Sequence, residues 1–141
     1  MKILIPVDGS VNAVRAVEYG IAYAAALKVA PEIFLINVQW KIATGNVKLF
    51  INQETINEYY REQGAAALAQ ARVKMDEAGI AYTFHISVGT PAEAIVLYAQ
   101  EHKIELIMMS AHGEASLATL LLGSVAGKVV QLAKTPVLLV K

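Results

Sequence analysis

Five short apolar runs, Lys2 to Asp8, Glu32 to Gln39, Ala81 to Gly89, Ile104 to Ala111 and Pro136 to Val140, are separated by four stretches with helical periodicity. The first run, KILIPVD, is apolar without alternation, the pattern of a strand buried on both faces. Such a strand needs helices above and below it. Right-handed crossovers between parallel strands supply them, so the chain is expected to be α/β: a doubly wound, five-stranded parallel sheet with helices on both faces. The pattern does not give the strand order, but the flavodoxin-like arrangement is the commonest for this count, and its ligands bind at the carboxyl ends of the strands flanking the switch point. With the first and fourth strands central, those ends are Pro6 to Gly9 and Met109 to Gly113.

Local signals fill in the rest. Ser10 is an N-cap for a helix on which Val14, Val17, Ile21 and Ala25 share a face. A longer connection, Trp40 to Asn52, leads to a helix from about Glu54 to Ala78, stopped by Gly79. In the third strand Tyr82, Phe84, Ile86 and Val88 alternate with Thr83, His85 and Ser87, which suits a sheet edge. Thr90, Pro91 and Glu93 read as an N-cap, a first helical residue and a capping box, and a last helix spans Ser124 to Ala133. A chain of 141 residues is expected to form one domain, 1–141.

Charge and composition remove several function classes. Twelve basic and twelve acidic residues give zero net charge, without the basic footprint that nucleic acid or an acidic membrane requires. The absence of cysteine excludes a disulfide frame, a thiolate nucleophile and a cysteine-type zinc site. The apolar runs are far shorter than the roughly 18 residues of a membrane span, and MKILIPVDGS lacks a signal-peptide core. A soluble, cytoplasmic protein is the expectation.

The stretch most suggestive of chemistry is SAHGEASLATLLLGS, residues 110 to 124, which leaves one of the two central strand ends. Gly113 permits a turn with positive φ, Gly123 permits close backbone approach, and Ser124 starts a helix whose free amides attract anions. Ser110, Thr119 and Ser124 offer hydroxyls, and His112 could donate to a phosphate. The alternative is a surface connector whose Leu117, Leu120, Leu121 and Leu122 tuck into the core or a partner. GSVAGK at Gly123 to Lys128 imitates a phosphate-binding P-loop, but it is one residue short between the glycines and has Val129 where a Ser or Thr is needed. Asp8 ends the first strand opposite, placed to accept from ribose hydroxyls or an adenine amine, or to sit as a carboxylate at the helix N-terminus. DGS is no nucleophile elbow, because the second glycine is missing. His85 and His102 read as structural, and no histidine or carboxylate set has metal spacing.

Taken together, ILIPVDGS, VGTPAEAI and SAHGEASLATLLLGSVAGKVVQLAKTPVLLVK resemble the universal stress protein family over essentially the whole chain. The resemblance implies a flavodoxin-like sheet in order 3-2-1-4-5, a homodimer formed through the fifth strand (Val137, Leu138, Leu139, Val140), and, in one subgroup, ATP at the switch point. That subgroup carries a glycine, two residues, a glycine, nine residues, and then glycine with serine or threonine. Gly113, Gly123 and Ser124 match; Ser110 replaces the first glycine. By position, the resemblance assigns Pro6, Val7 and Asp8 to ribose and adenine, Val38 to adenine, and Met109, Gly113, Gly123, Ser124 and Val125 to the length of the nucleotide.

Two faults stand in the motif. The Ser110 Cβ would cost roughly 1–2 kcal/mol if the backbone had to adopt a positive φ. Glu114 brings a like charge, worth roughly 0.7 kcal/mol in water at ~6 Å and about 3 kcal/mol at an effective dielectric of about 20. The leading expectation is a stress-response protein, not an enzyme, that binds ATP or another adenine nucleotide, with Mg²⁺ as companion ion. The competing one is a nucleotide-free dimer acting through protein contacts and exposed segments such as Trp40 to Tyr60. A weak ATPase comes third, since Lys128 lies a turn into its helix.

Overall fold

The computed structural model describes residues 1–42, 51–113 and 121–141. In chain order the elements are β1 (Lys2–Pro6), α1 (Val11–Ala26), β2 (Glu32–Gln39), α2 (Gln53–Glu77), β3 (Tyr82–Val88), α3 (Pro91–Glu101), β4 (Leu106–Ser110), α4 (Ser124–Leu132) and β5 (Val137–Val140). The sheet is parallel throughout, in the order β3-β2-β1-β4-β5. This is the flavodoxin-like arrangement, and it places β1 between β2 and β4.

The unbroken apolar run of β1 has a direct structural cause. Ile3 and Ile5 point into one core with Val17 of α1 and Leu68 and Met75 of α2. Leu4 points the other way, into a second core with Ile95 of α3, Ile107 of β4 and Val129 of α4. Since successive strand residues face opposite sides, a strand at the centre of two cores must be apolar at every position. β3 forms one edge of the sheet, and its Phe84 and Val88 are exposed. The Arg72 guanidinium lies 4.1 Å over the Phe84 ring, a cation–π contact that covers part of this edge.

Two local expectations are corrected. α1 buries Ala13, Ala16, Val17, Gly20 and Ala24 rather than the face of Val14, Val17, Ile21 and Ala25. The sheet selects small residues here: a Cβ on Gly20 would come within 2.7 Å of Ile5 Cδ1, so the helix axis lies close above β1 and β4. Larger side chains are turned to the flanks. Thr90 occupies the N-cap of α3 and Pro91 opens the helix, but the Thr90 side chain makes no capping hydrogen bond. By contrast Ser10 does cap α1, accepting from Ala13 N at 3.1 Å.

His85 and His102 lie on either side of Tyr98, with ring centroids 5.3 Å and 3.8 Å from it. Burial pushes the Tyr98 phenol above its ordinary range. Among the described residues, no helix is long and apolar enough to cross a membrane.

Candidate functional site

The strand order makes a crevice at the carboxyl end of the sheet, where the connection from β1 to α1 and that from β4 to α4 leave adjacent strands in opposite senses. A cleft of about 860 Å³ opens there. From β1 come Pro6, Val7 and Asp8; from β2, Val38; from the end of β4, Met109, Ser110, His112 and Gly113; from the start of α4, Gly123, Ser124 and Val125. The residues that the family resemblance assigned by position, together with Ser110 and His112, thus line one space.

Its floor is tied by side chains as well as by the sheet. Asn37, only 2% exposed, donates from Nδ2 to the Val7 carbonyl at 2.8 Å, and Gln39 Nε2 donates to Asn37 Oδ1 at 2.7 Å. These bonds satisfy a carbonyl that has passed the end of β1 and hold β2 against it. Asp8 is exposed to the cleft, and its Oδ1 accepts from Ser10 N at 2.9 Å. Ser10 thereby fixes the carboxylate at the start of α1.

Asn12 Nδ2 donates to the Gly113 carbonyl at 3.3 Å, joining the two connections across the crevice. A Cβ on Gly113 would lie 3.0 Å from Asp8 Oδ2, so a side chain there would press on the carboxylate. The positive φ expected at Gly113 is absent; among the described glycines only Gly9, Gly79 and Gly89 adopt one. The Asp8 carboxylate, rather than the turn, is what a side chain at Gly113 would disturb, and its exposed tip can move aside.

Gly123 has a related explanation. Its N–H donates to the Ala111 carbonyl at 2.7 Å, and a Cβ would lie 3.2 Å from His112 Cα and 3.3 Å from both Ala111 O and Gly113 N. Backbone meets backbone there, which no rotamer change relieves. The contact seats the first turn of α4 against the end of β4. Among the described residues α4 has no side-chain cap, and none of them accepts from the amides of Ser124, Val125 and Ala126.

Ser110 does not carry the strain expected of it. It ends β4 with ordinary backbone, Lys103 being the one described non-glycine residue with positive φ. Its hydroxyl is engaged locally, donating to the His112 carbonyl and accepting from His112 N at 3.1 Å. Glu114, Leu117, Thr119 and Leu120 lie outside the described residues.

Among the described residues lining the cleft, Asp8 is the one carboxylate and there is no Lys or Arg. An anion would therefore be held by peptide amides and the dipole of α4, equivalent to roughly half a positive charge. No described group of three or more His, Asp or Glu residues could hold a metal ion. Further lining residues escaped the sequence reading: Asn37, Gln39, Trp40 and Ile42 around the end of β2, Tyr59 on α2, and Ile95 on α3. Continuing the alternation of β2 beyond Val38 would have pointed to Trp40; nothing local marks Tyr59.

The profile of the universal stress protein family matches residues 1–141, the whole chain. The chain belongs to the universal stress protein family. It is 34% identical over 140 residues to universal stress protein MJ0531 of Methanocaldococcus jannaschii, covering 99% of this chain and 81% of that one. The solved structure of MJ0577 superposes with a TM-score of 0.83 at 29% identity, covering 99% of this chain and 94% of the other. A universal stress protein solved in complex with cAMP superposes with a TM-score of 0.71 at 26% identity, covering 100% and 97%. The sheet order described above is the universal stress protein arrangement.

Proposed function

We propose that this universal stress protein binds an adenine nucleotide as a regulatory ligand, with little or no turnover. One observation carries the reading: Gly123, kept glycine by backbone contact with the end of β4, brings the N-terminal amides of α4 to the cleft that Gly113 and the Asp8 carboxylate also line. In this reading Asp8 accepts from a ribose hydroxyl, Val38 and Met109 flank the base, and the amides of Ser124 and Val125 receive phosphate oxygens with His112 nearby. The cAMP complex of a relative supports the choice of an adenine ligand. ATP, ADP and AMP are the candidates, and Mg²⁺ would arrive on the phosphates. Turnover would need a placed base and a cation at the γ-phosphate, and Lys128 is exposed a turn into α4.

The test is thermal unfolding with and without millimolar AMP, ADP or ATP plus Mg²⁺. Ligand at about a hundred times its dissociation constant stabilises by about 2.7 kcal/mol, raising Tm by roughly 5–10 °C. A flat response with all three would sink the proposal. It would favour the second reading, an empty relative working through protein contacts, for which the closed Ser110–His112 turn is the supporting observation.

The proposal extends to a cytoplasmic homodimer. β5 pairs with β4 on one side only, and Val137 to Val140 are half-buried along its outer edge. Val130 and Leu132 of α4 are exposed. An apolar strand of this kind is a template for pairing with a second copy. Sedimentation at micromolar concentration is expected to show a dimer, and a Leu139→Lys variant to shift it toward monomer; wild type sedimenting as monomer would refute this part.

A further inference from the structure

Trp40 lines the cleft, yet it is 67% exposed. Side chains two apart on a strand face the same way, and Phe34, Ile36 and Val38 of β2 all pack into the core beneath α3 and α4. Trp40 is the next position in that row. It lies past the last residue of β2, beyond the point where the helices cover the sheet. Trp40 thus lines the cleft at the carboxyl end of the sheet, next along from Val38, and stays largely exposed.

The backbone around it is anchored. Ile42 N donates at 2.8 Å to the hydroxyl of Tyr60, a buried residue of α2. On the other side the Gln39 carbonyl accepts from Gly89 N at 2.9 Å, tying the chain to the end of β3. Trp40 is held between these two attachments, so its exposure belongs to a fixed stretch of chain. Nothing described in the core needs an indole there, and an exposed aromatic ring at a cleft mouth is suited to stacking on a planar heterocycle.

We infer that Trp40 forms the outer wall of the base subsite and stacks its indole on the adenine ring. This rests on the nucleotide-binding reading and adds to it a residue outside the glycine motif. Stacking of this type tolerates different bases, so Trp40 supplies affinity, while selection among bases falls to the edges contacted deeper in the cleft.

Trp40 is the chain's single tryptophan, so its emission reports on this one position. The experiment titrates the full chain with AMP, reading calorimetric heat and Trp40 emission together, and repeats the calorimetry on Trp40→Ala and Trp40→Phe. The expected result is saturable quenching in step with the heat, binding about ten- to a hundred-fold weaker in Trp40→Ala, and near-recovery in Trp40→Phe. Because the side chain is largely exposed, both variants should melt close to wild type. Heat with unchanged emission, or Trp40→Ala binding as tightly as wild type, overturns the stacking assignment and leaves the nucleotide reading standing. Absence of heat from wild type with AMP, ADP and ATP overturns both.

Discussion

Gly64→Val is expected to destabilise the protein by about 2–3 kcal/mol, lowering Tm by roughly 5–10 °C. Gly64 is buried in α2 where that helix crosses β3, and a Cβ there would lie 2.5 Å from Ile86 Cγ2 and 2.8 Å from both Cγ1 and Cδ1. Three atoms of one β-branched side chain cannot all withdraw by a rotamer change. The helix would have to lift from the sheet, loosening the core beneath Leu68, Ala71 and Met75. Gly127→Ala is the contrast, since among the described residues the nearest atom to its added methyl, Leu122 Cβ, is 4.0 Å away. That change is expected to gain up to about 1 kcal/mol from helix propensity. Thermal unfolding of both variants decides the matter; a Gly64→Val protein melting with wild type would mean that α2 does not sit this close to β3.

The second large effect concerns the cleft. Gly123→Val places a branched side chain against the backbone of residues 111–113, where even a Cβ finds atoms at 3.2–3.3 Å. The Gly123–Ala111 hydrogen bond, 2.7 Å in the native chain, is the first casualty, and the N-terminus of α4 moves away from Asp8. Nucleotide affinity is expected to fall by at least about ten-fold, equivalent to roughly 1.4 kcal/mol, because the amides that receive the phosphate are displaced. Calorimetric titration of folded variant and wild type measures it. Equal affinities would show that the α4 amides are not the phosphate site.

These two glycines also show how far the sequence could be read. Gly64 lies in a helix interior, where glycine is unusual, and Gly123 at an N-cap, where it is common, but the causes are partners distant along the chain: Ile86 on β3 for Gly64, and the end of β4 for Gly123. Gly113 and Gly123 were legible as a motif, while the reason for each was not. One meets the Asp8 carboxylate and the other meets backbone. The Ser110 penalty anticipated from a positive φ disappears because β4 runs through it in ordinary extended form.

The sheet was more legible than the helix faces. KILIP without alternation reports directly on burial from two sides, and the alternation of YTFHISV pointed to the edge position that β3 occupies, although Phe84 and Val88 of its apolar row are exposed there. For α1 the same logic failed. Hydrophobic size favoured Val14 and Ile21, whereas close packing over β1 and β4 selected Ala13, Ala16 and Gly20, a choice set by inter-element distance that no local window contains. Trp40 went unread for a related reason: its significance comes from where β2 ends relative to the helices above it.

Entry of an adenine nucleotide into this particular cleft is decided by amide-resolved NMR titration of the full chain with AMP. Saturable shifts are expected, concentrated at Val7, Asp8, Gly113, Gly123, Ser124 and Val125, with β3 residues such as Thr83 and Phe84 undisturbed. Shifts that cluster elsewhere, or none at millimolar nucleotide, would contradict it.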